Sequence, residues 1–210
     1  VVDKTTTEVQ LAEAMASFKP LLKKGKSVAF VVRKGALSAD GIEISYQNDN
    51  QMLREEIISH ITEVSGADVI VSTTGKASRE LFEIRERNGQ AHGTDFLTVG
   101  SMGHSSSVAL GIALNQSAKK VWCIDGDGAV LMHMGAMAVI GANHPENLIH
   151  VVIDNSAHET VGGMPTVAGK IDLVQIALGC GYKSAVCAES FAELDAALKR
   201  AKSEKGPFFI

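Results

Sequence analysis

The chain of 210 residues is long enough for one large α/β domain, or for one domain plus part of another. Apolar residues make up 45% and charged residues 21%, which supplies a real core and excludes a disordered tail. Lys and Arg number 20 against 24 Asp and Glu, so the net charge of −4 leaves no basic excess to hold nucleic acid.

No apolar run approaches the roughly 18 residues of a membrane span, and the polar first twenty residues lack a signal-peptide pattern. Cys123, Cys180 and Cys187 are odd in number and at no metal or redox spacing. They read as reduced, mostly buried thiols of a cytoplasmic protein. With 20 glycines the chain makes many tight turns and lets backbone approach a ligand closely.

In chain order, residues 7–24 predict a helix with a capping box at Thr7 and Gln10 and a break at Pro20. Residues 27–33 read as a buried strand. The stretch 34–50 is polar and aperiodic, which makes it a linker. Residues 1–33 are therefore expected to be the tail of a preceding domain, and 51–210 a domain of their own. That domain opens with a helix over 52–65, whose Leu53, Ile57, Ile61 and Val64 share a face. Strands are expected at 68–72, 96–99, 120–124, 148–153, 182–186 and 207–210. Helices are expected at 76–87, 105–116, 130–142, 171–178 and 191–202, the last with a capping box at Ser190 and Glu193. The strands are continuous apolar runs, as when helices cover both faces of a sheet. The fold class is α/β: a doubly wound, mostly parallel sheet of about six strands.

Ligands of such sheets bind at the carboxyl ends of the strands. Four loops there combine small and polar residues: Thr73-Thr74-Gly75-Lys76, Gly100-Ser101-Met102-Gly103-His104, Gly126-Asp127-Gly128 and Asp154-Asn155-Ser156-Ala157-His158. Backbone N–H groups at such places form an anion site without basic side chains. Gly-Asp-Gly alone is an ordinary strand-end turn. Asn155 at the end of the next parallel strand adds a second hard oxygen beside Asp127, a set that suits Mg²⁺. The P-loop pattern is absent, since Ile70 and Ala77 stand where it needs Gly and Ser or Thr. Lys76 is either a solvated helix-start residue or a cation for a substrate anion. His104 and His158 are either turn histidines or proton carriers near neutral pH. His158-Glu159 lacks a second His at metalloprotease spacing. His133 and the Met132, Met134, Met137 group read as helix packing, and His60, His92, His144 and His150 receive no role.

The segment from Gly126 to Asn155 resembles the diphosphate and Mg²⁺ motif of thiamine-diphosphate (ThDP) enzymes. More narrowly, residues 71–81 (VSTTGKASREL), 96–104 (FLTVGSMGH), 126–135 (GDGAVLMHMG) and 157–163 (AHETVGG) resemble the phosphonopyruvate decarboxylase family and its sulfopyruvate decarboxylase relatives. The resemblance covers nearly the whole chain from residue 51. It implies that Asp127, Asn155 and the Ala157 carbonyl ligate Mg²⁺, with Gly126, Gly128 and Ala129 beside the diphosphate. Gly100, Ser101 and Met102 would hold the aminopyrimidine, Met102 propping the cofactor in its bent form. Thr74, Gly75 and Lys76 would lie near diphosphate or substrate. Two positions depart from the wider family: Asp154-Asn155 replaces paired asparagines, and Gly162 falls where pyruvate decarboxylases carry a catalytic Glu.

The implied function is ThDP- and Mg²⁺-dependent decarboxylation of a 2-oxo acid, 3-phosphonopyruvate first. A sulfopyruvate decarboxylase subunit and a non-catalytic ThDP-fold module are the alternatives. In the family a Glu of the pyrimidine-binding domain activates the cofactor. No such motif occurs here: Glu43 lies in the linker stretch and Glu159 at the diphosphate end. A homo-oligomer completed by a pyrimidine-binding domain absent from this chain is therefore expected, with no membrane or nucleic-acid partner.

Overall fold

A computed structural model describes residues 1–37 and 51–210, which fall into two compact units, Val1–Glu43 and Ile44–Ile210. Most of the expected linker, and Glu43 with it, lies outside the described residues.

In the first unit, α1 (Glu8–Lys23) starts at the expected capping box, with the Gln10 N–H donating to Thr7 Oγ1 and the Thr7 N–H to Gln10 Oε1. Pro20 does not break it. The proline deletes only its own N–H bond, and the helix closes one turn later, where Lys24 and Gly25 N–H groups donate to the Leu21 and Leu22 carbonyls. The strand expected at 27–33 is also corrected. Among the described residues its one pairing is an isolated bridge between Val2 and Val32, and Val31 and Val32 are exposed. A run held at a single bridge gains no sheet face to bury itself against.

The second unit runs α2 (Arg54–Ser65), β1 (Val69–Ser72), α3 (Lys76–Arg87), β2 (Asp95–Leu97), α4 (Ser105–Asn115), β3 (Val121–Gly126), α5 (Asp127–Met132), α6 (Gly135–Asn143) and β4 (Leu148–Ile153). There follow β5 (Ala157–His158), a 3₁₀ turn Glu159–Val161, β6 (Met164–Pro165), a second 3₁₀ turn Ala168–Lys170, α7 (Leu173–Gly179), β7 (Ser184–Ala185), α8 (Phe191–Ser203) and β8 (Phe208–Phe209). Six strands form one sheet in the order β2-β1-β3-β4-β8-β7, and every neighbouring pair is parallel. β5 and β6 form a separate antiparallel ribbon that the sequence pattern did not foreshadow.

Neighbouring residues on each strand face opposite layers. Ile70, Trp122, Ile124, Ile149 and Phe208 pack against α2, α3 and α8. Val71, Val121, Cys123, Leu148 and Phe209 pack against α4 to α7. Each fully buried Ile or Leu contributes about 1.5–3 kcal/mol of transfer free energy, and the Ile70, Ile149 and Leu148 side chains are wholly inside. Among the described residues no helix is long and apolar enough to cross a membrane.

Several expectations need correction here. The helix over 130–142 is two helices, because the chain turns at His133 and restarts at Gly135. Met132 falls at that turn and is exposed, while Met137 is buried. Only Cys123 is buried; Cys180 is intermediate and Cys187 exposed. In α2 the buried stripe centres on Ile58 and Ile61, and Leu53 precedes the helix, half exposed. Edge strand β2 ends at Leu97, leaving Val99 exposed.

Candidate functional site

β1 and β3 are neighbours although β2 lies between them in sequence, so the chain reverses direction across the sheet there. The crevice at the carboxyl ends of such strands is where open α/β sheets bind ligands. A cavity of about 280 Å³ occupies that place. Its lining gathers Thr74, Gly75 and Lys76 after β1 with Met102 before α4. It also gathers Gly126, Asp127, Gly128 and Ala129 at the β3–α5 junction, and Asn155, Ala157 and His158 after β4.

Gly100, Ser101 and His104 are not among the lining residues. The Gly100 N–H donates to Thr74 Oγ1 at 2.9 Å, tying the two loops together. His104 is exposed at the start of α4, where its ring meets that of His133 at 4.1 Å between centroids. Ser101 (φ 46) and Ser156 (φ 52) both adopt left-handed backbone, one in each flanking loop. For a residue with a side chain this costs about 1–3 kcal/mol, a strain that collects at ligand-holding loops.

Asp127 is the first residue of α5 and is 3% exposed. Burial pushes its carboxyl above the ordinary value and the Asp154 charge adds to this, against the Thr166 hydroxyl, the Gly128 N–H and His158, which all pull it down. The Thr166 hydroxyl donates to Asp127 Oδ2. Asn155 Oδ1 accepts the Ala157 N–H at 3.1 Å and keeps a second lone pair. Asp154 Oδ1 takes the Ser156 N–H at 2.8 Å and so serves the turn. Asp127, Asn155 and Ala157 thus line one cavity and offer it a carboxylate, an amide oxygen and a backbone carbonyl as donors, where a hard cation would relieve the crowded charge of Asp127 and Asp154. The donor set fits Mg²⁺.

Gly128 is the tightest point. A Cβ there would stand 2.5 Å from the His158 ring and 3.4 Å from the Met102 methyl, so both side chains close over the bare glycine. The start of α3, with Thr74 and the N-cap Gly75 before it and Lys76 and Ala77 within it, borders the same space, and N–H groups at a helix start favour an anion.

Sequence reasoning missed a charged network on the cavity wall. Arg54 makes a two-pronged bond to Glu80, at 2.7 and 2.6 Å, and also pairs with Glu159; Lys76 Nζ donates to Glu159 at 2.6 Å. Burial works against the Glu159 charge, but Lys76 and Arg54 outweigh it and hold that carboxyl below its ordinary value. The hydrogen bonds to Glu80 are the main reason the Arg54 guanidinium is held above its own. The members of this network lie far apart in sequence, so no spacing announced them.

Residues 73–210 match the thiamine pyrophosphate enzyme C-terminal TPP binding domain. The chain belongs to this family. Among its relatives in the family, it is 40% identical over 141 residues to the phosphonopyruvate decarboxylase of Streptomyces viridochromogenes, matching 67% of this chain and 34% of that protein. It is 41% identical over 154 residues to the sulfopyruvate decarboxylase subunit beta of Methanocaldococcus jannaschii, matching 72% of this chain and 78% of the subunit. The benzoylformate decarboxylase structure from Polynucleobacter necessarius shares the ThDP-enzyme fold. Its TM-score is 0.63 at 20% identity, over 79% of this chain and 34% of that one. The chain spans about a third of the length of the phosphonopyruvate decarboxylases it matches.

Proposed function

We propose that this chain is the diphosphate- and metal-binding part of a decarboxylase dependent on ThDP and Mg²⁺. Its substrate would be a 2-oxo acid bearing a tetrahedral oxyanion, 3-phosphonopyruvate, converted to phosphonoacetaldehyde and CO₂. One observation carries the reading: Asp127, Asn155, Ala157 and the start of α3 line one cavity, in a chain of this family. Asp127, Asn155 and the Ala157 carbonyl would hold Mg²⁺. Thr74, Gly75, Gly126, Gly128 and Ala129 would border the diphosphate, while Gly100, Ser101 and Met102 would meet the pyrimidine end.

When bound, ThDP would supply the carbon nucleophile and the electron sink that decarboxylation needs. The protein's share is orientation, charge and the exclusion of water. Met102 and His158 close the cavity over Gly128. Of the two histidines considered for proton transfer, His158 lines the cavity and His104 does not, so the role is assigned to His158. Lys76 brings a cation into the cavity, balanced by Glu159 until the substrate phosphonate offers a stronger partner. The same reading makes the protein a cytoplasmic homo-oligomer whose site a pyrimidine-binding domain completes.

Similarity to the sulfopyruvate decarboxylase beta subunit, most of whose length the chain matches, favours sulfopyruvate as the second reading. The test is a substrate panel on the full-length enzyme with ThDP and Mg²⁺. Turnover of phosphonopyruvate alone supports the first reading and of sulfopyruvate alone the second; activity on neither overturns both. In the same enzyme, Lys76→Met is expected to raise KM for the oxyanion substrate more than it weakens ThDP binding. Equal losses would move Lys76 to the cofactor diphosphate.

A further inference from the structure

On the sheet face that carries α4 to α7, three side chains given no part in the cavity chemistry come together, one of which, Asp125, also joins the cavity lining. Cys123 and Asp125 are two residues apart on β3, so they project to the same side, and His150 of β4 stands opposite Cys123 in register. All three are buried, with exposures of 0%, 1% and 0%. One sulfur, oxygen or nitrogen atom from each lies within 4.8 Å of the others, and His150 Nε2 is 3.6 Å from Asp125 Oδ2. Among the described residues neither of those two atoms has a hydrogen-bond partner. Buried polar atoms left unpaired are costly, and two that face each other call for an occupant.

We propose that Cys123, Asp125 and His150 form a buried site for a transition-metal ion of the zinc class, distinct from the hard-oxygen site of the cavity. A thiol, an imidazole and a carboxylate are the donors zinc takes, whereas Mg²⁺ prefers oxygen alone. With ligands at 2.0–2.1 Å, two corners of a tetrahedron around zinc lie about 3.4 Å apart. The 3.6 Å between Nε2 and Oδ2 is near that edge and too long for a good hydrogen bond.

The remaining contacts are those a metal ligand needs. His150 Nδ1 lies 3.0 Å from the Tyr182 hydroxyl, which fixes the ring with Nε2 toward the ion. Asp125 Oδ1 accepts the Gly126 N–H at 3.1 Å, leaving Oδ2 for the metal. On coordination the Cys123 S–H proton passes to solvent. Thiolate and carboxylate then cancel the two positive charges, so a neutral unit occupies the interior, as a fully buried place requires. A water molecule would complete the fourth position.

The test uses the full-length protein and needs no activity measurement. Purified without chelator and analysed for metals, the wild type is expected to carry zinc in a one-to-one ratio. Exchange with Co²⁺ should produce a thiolate-to-cobalt charge-transfer band. Cys123→Ser should lose both, while Asp127→Asn keeps both, separating this site from the Mg²⁺ site. If Cys123→Ser does not fold, the protein with Cys180→Ala and Cys187→Ala together must still show the band. A wild type free of zinc that gives no cobalt band after refolding in Co²⁺ overturns the proposal and leaves a bridging water as the occupant. Zinc retained in folded Cys123→Ser overturns it as well.

Discussion

Burial pushes the Asp127 carboxyl above its ordinary value, and Asp154 pushes the same way. Its ionised form is therefore disfavoured in the fold, and stability falls as the pH rises from the ordinary carboxyl value through the raised one. Asp127→Asn removes that charge and keeps an oxygen for the Thr166 hydroxyl. We expect the variant to raise the thermal midpoint of the cofactor-free protein and to abolish the Mg²⁺ dependence of ThDP affinity. Calorimetry with and without Mg²⁺ reads both, and a lowered midpoint with unchanged cofactor affinity would make Asp127 an ordinary structural carboxylate. Glu159 behaves in the opposite sense, because Lys76 and Arg54 hold its carboxyl below the usual range. Its contribution is fully present above the ordinary Glu value of about 4.3. It is lost as the pH falls through the lowered one. Glu159→Gln should therefore destabilise the protein at neutral pH and lose the part of the acid decline that Glu159 contributes. Unfolding curves recorded from neutral into acid solution check this; parallel curves for the two proteins would refute it.

Among the elements, the contact of α6 with α7 depends on a missing side chain. A Cβ on Gly141 would stand 1.8 Å from the Cys180 carbonyl oxygen, which is backbone and cannot swing away. Gly141→Ala is expected to cost about 1–3 kcal/mol through overpacking. Denaturant unfolding measures it, and a loss within error would mean that α7 shifts freely. The elements also show how far the sequence could be read. The six strands of the main sheet all lie within the expected runs or overlap them, because runs such as Leu148–Ile153, buried on both sides, leave little alternative to a covered parallel strand. Thr7 and Ser190 start helices as expected, since a cap is a local bond between residues close in sequence. Asp127, Asn155 and Ala157 could be placed in one crevice because parallel pairing of β3 and β4 aligns their ends. What escaped was set by distant partners. Arg54 finds Glu80 and Glu159 across the fold, the β5–β6 ribbon needs Ala157 to meet Pro165, and His104 turns toward His133. Pro20 misled because a proline near a helix end deletes only one bond.

At the scale of the molecule, apolar residues are left in the open in the segments that follow the strands. Val99, after β2, is 94% exposed; Val161, after β5 and in the cavity lining, is 63% exposed; and Val167, after β6, is 56% exposed. Such surface is usually covered by a partner, and the chain spans about a third of the phosphonopyruvate decarboxylases it matches. We expect the 210-residue chain by itself not to turn over phosphonopyruvate even with ThDP and Mg²⁺. A mixture with the separately expressed pyrimidine-binding region should recover turnover, and appreciable decarboxylation by the chain unaided would locate an activating acid within it. The order of strands bears on how the sheet can fail. β8 sits between β4 and β7, bonded to both, and Phe208 and Phe209 enter the cores on opposite faces. A strand of two residues thus closes both layers at once and carries β7 with it. Were it to peel away, the bared edge of β4 would be a receptive template for another chain, the usual route from a local opening to aggregation.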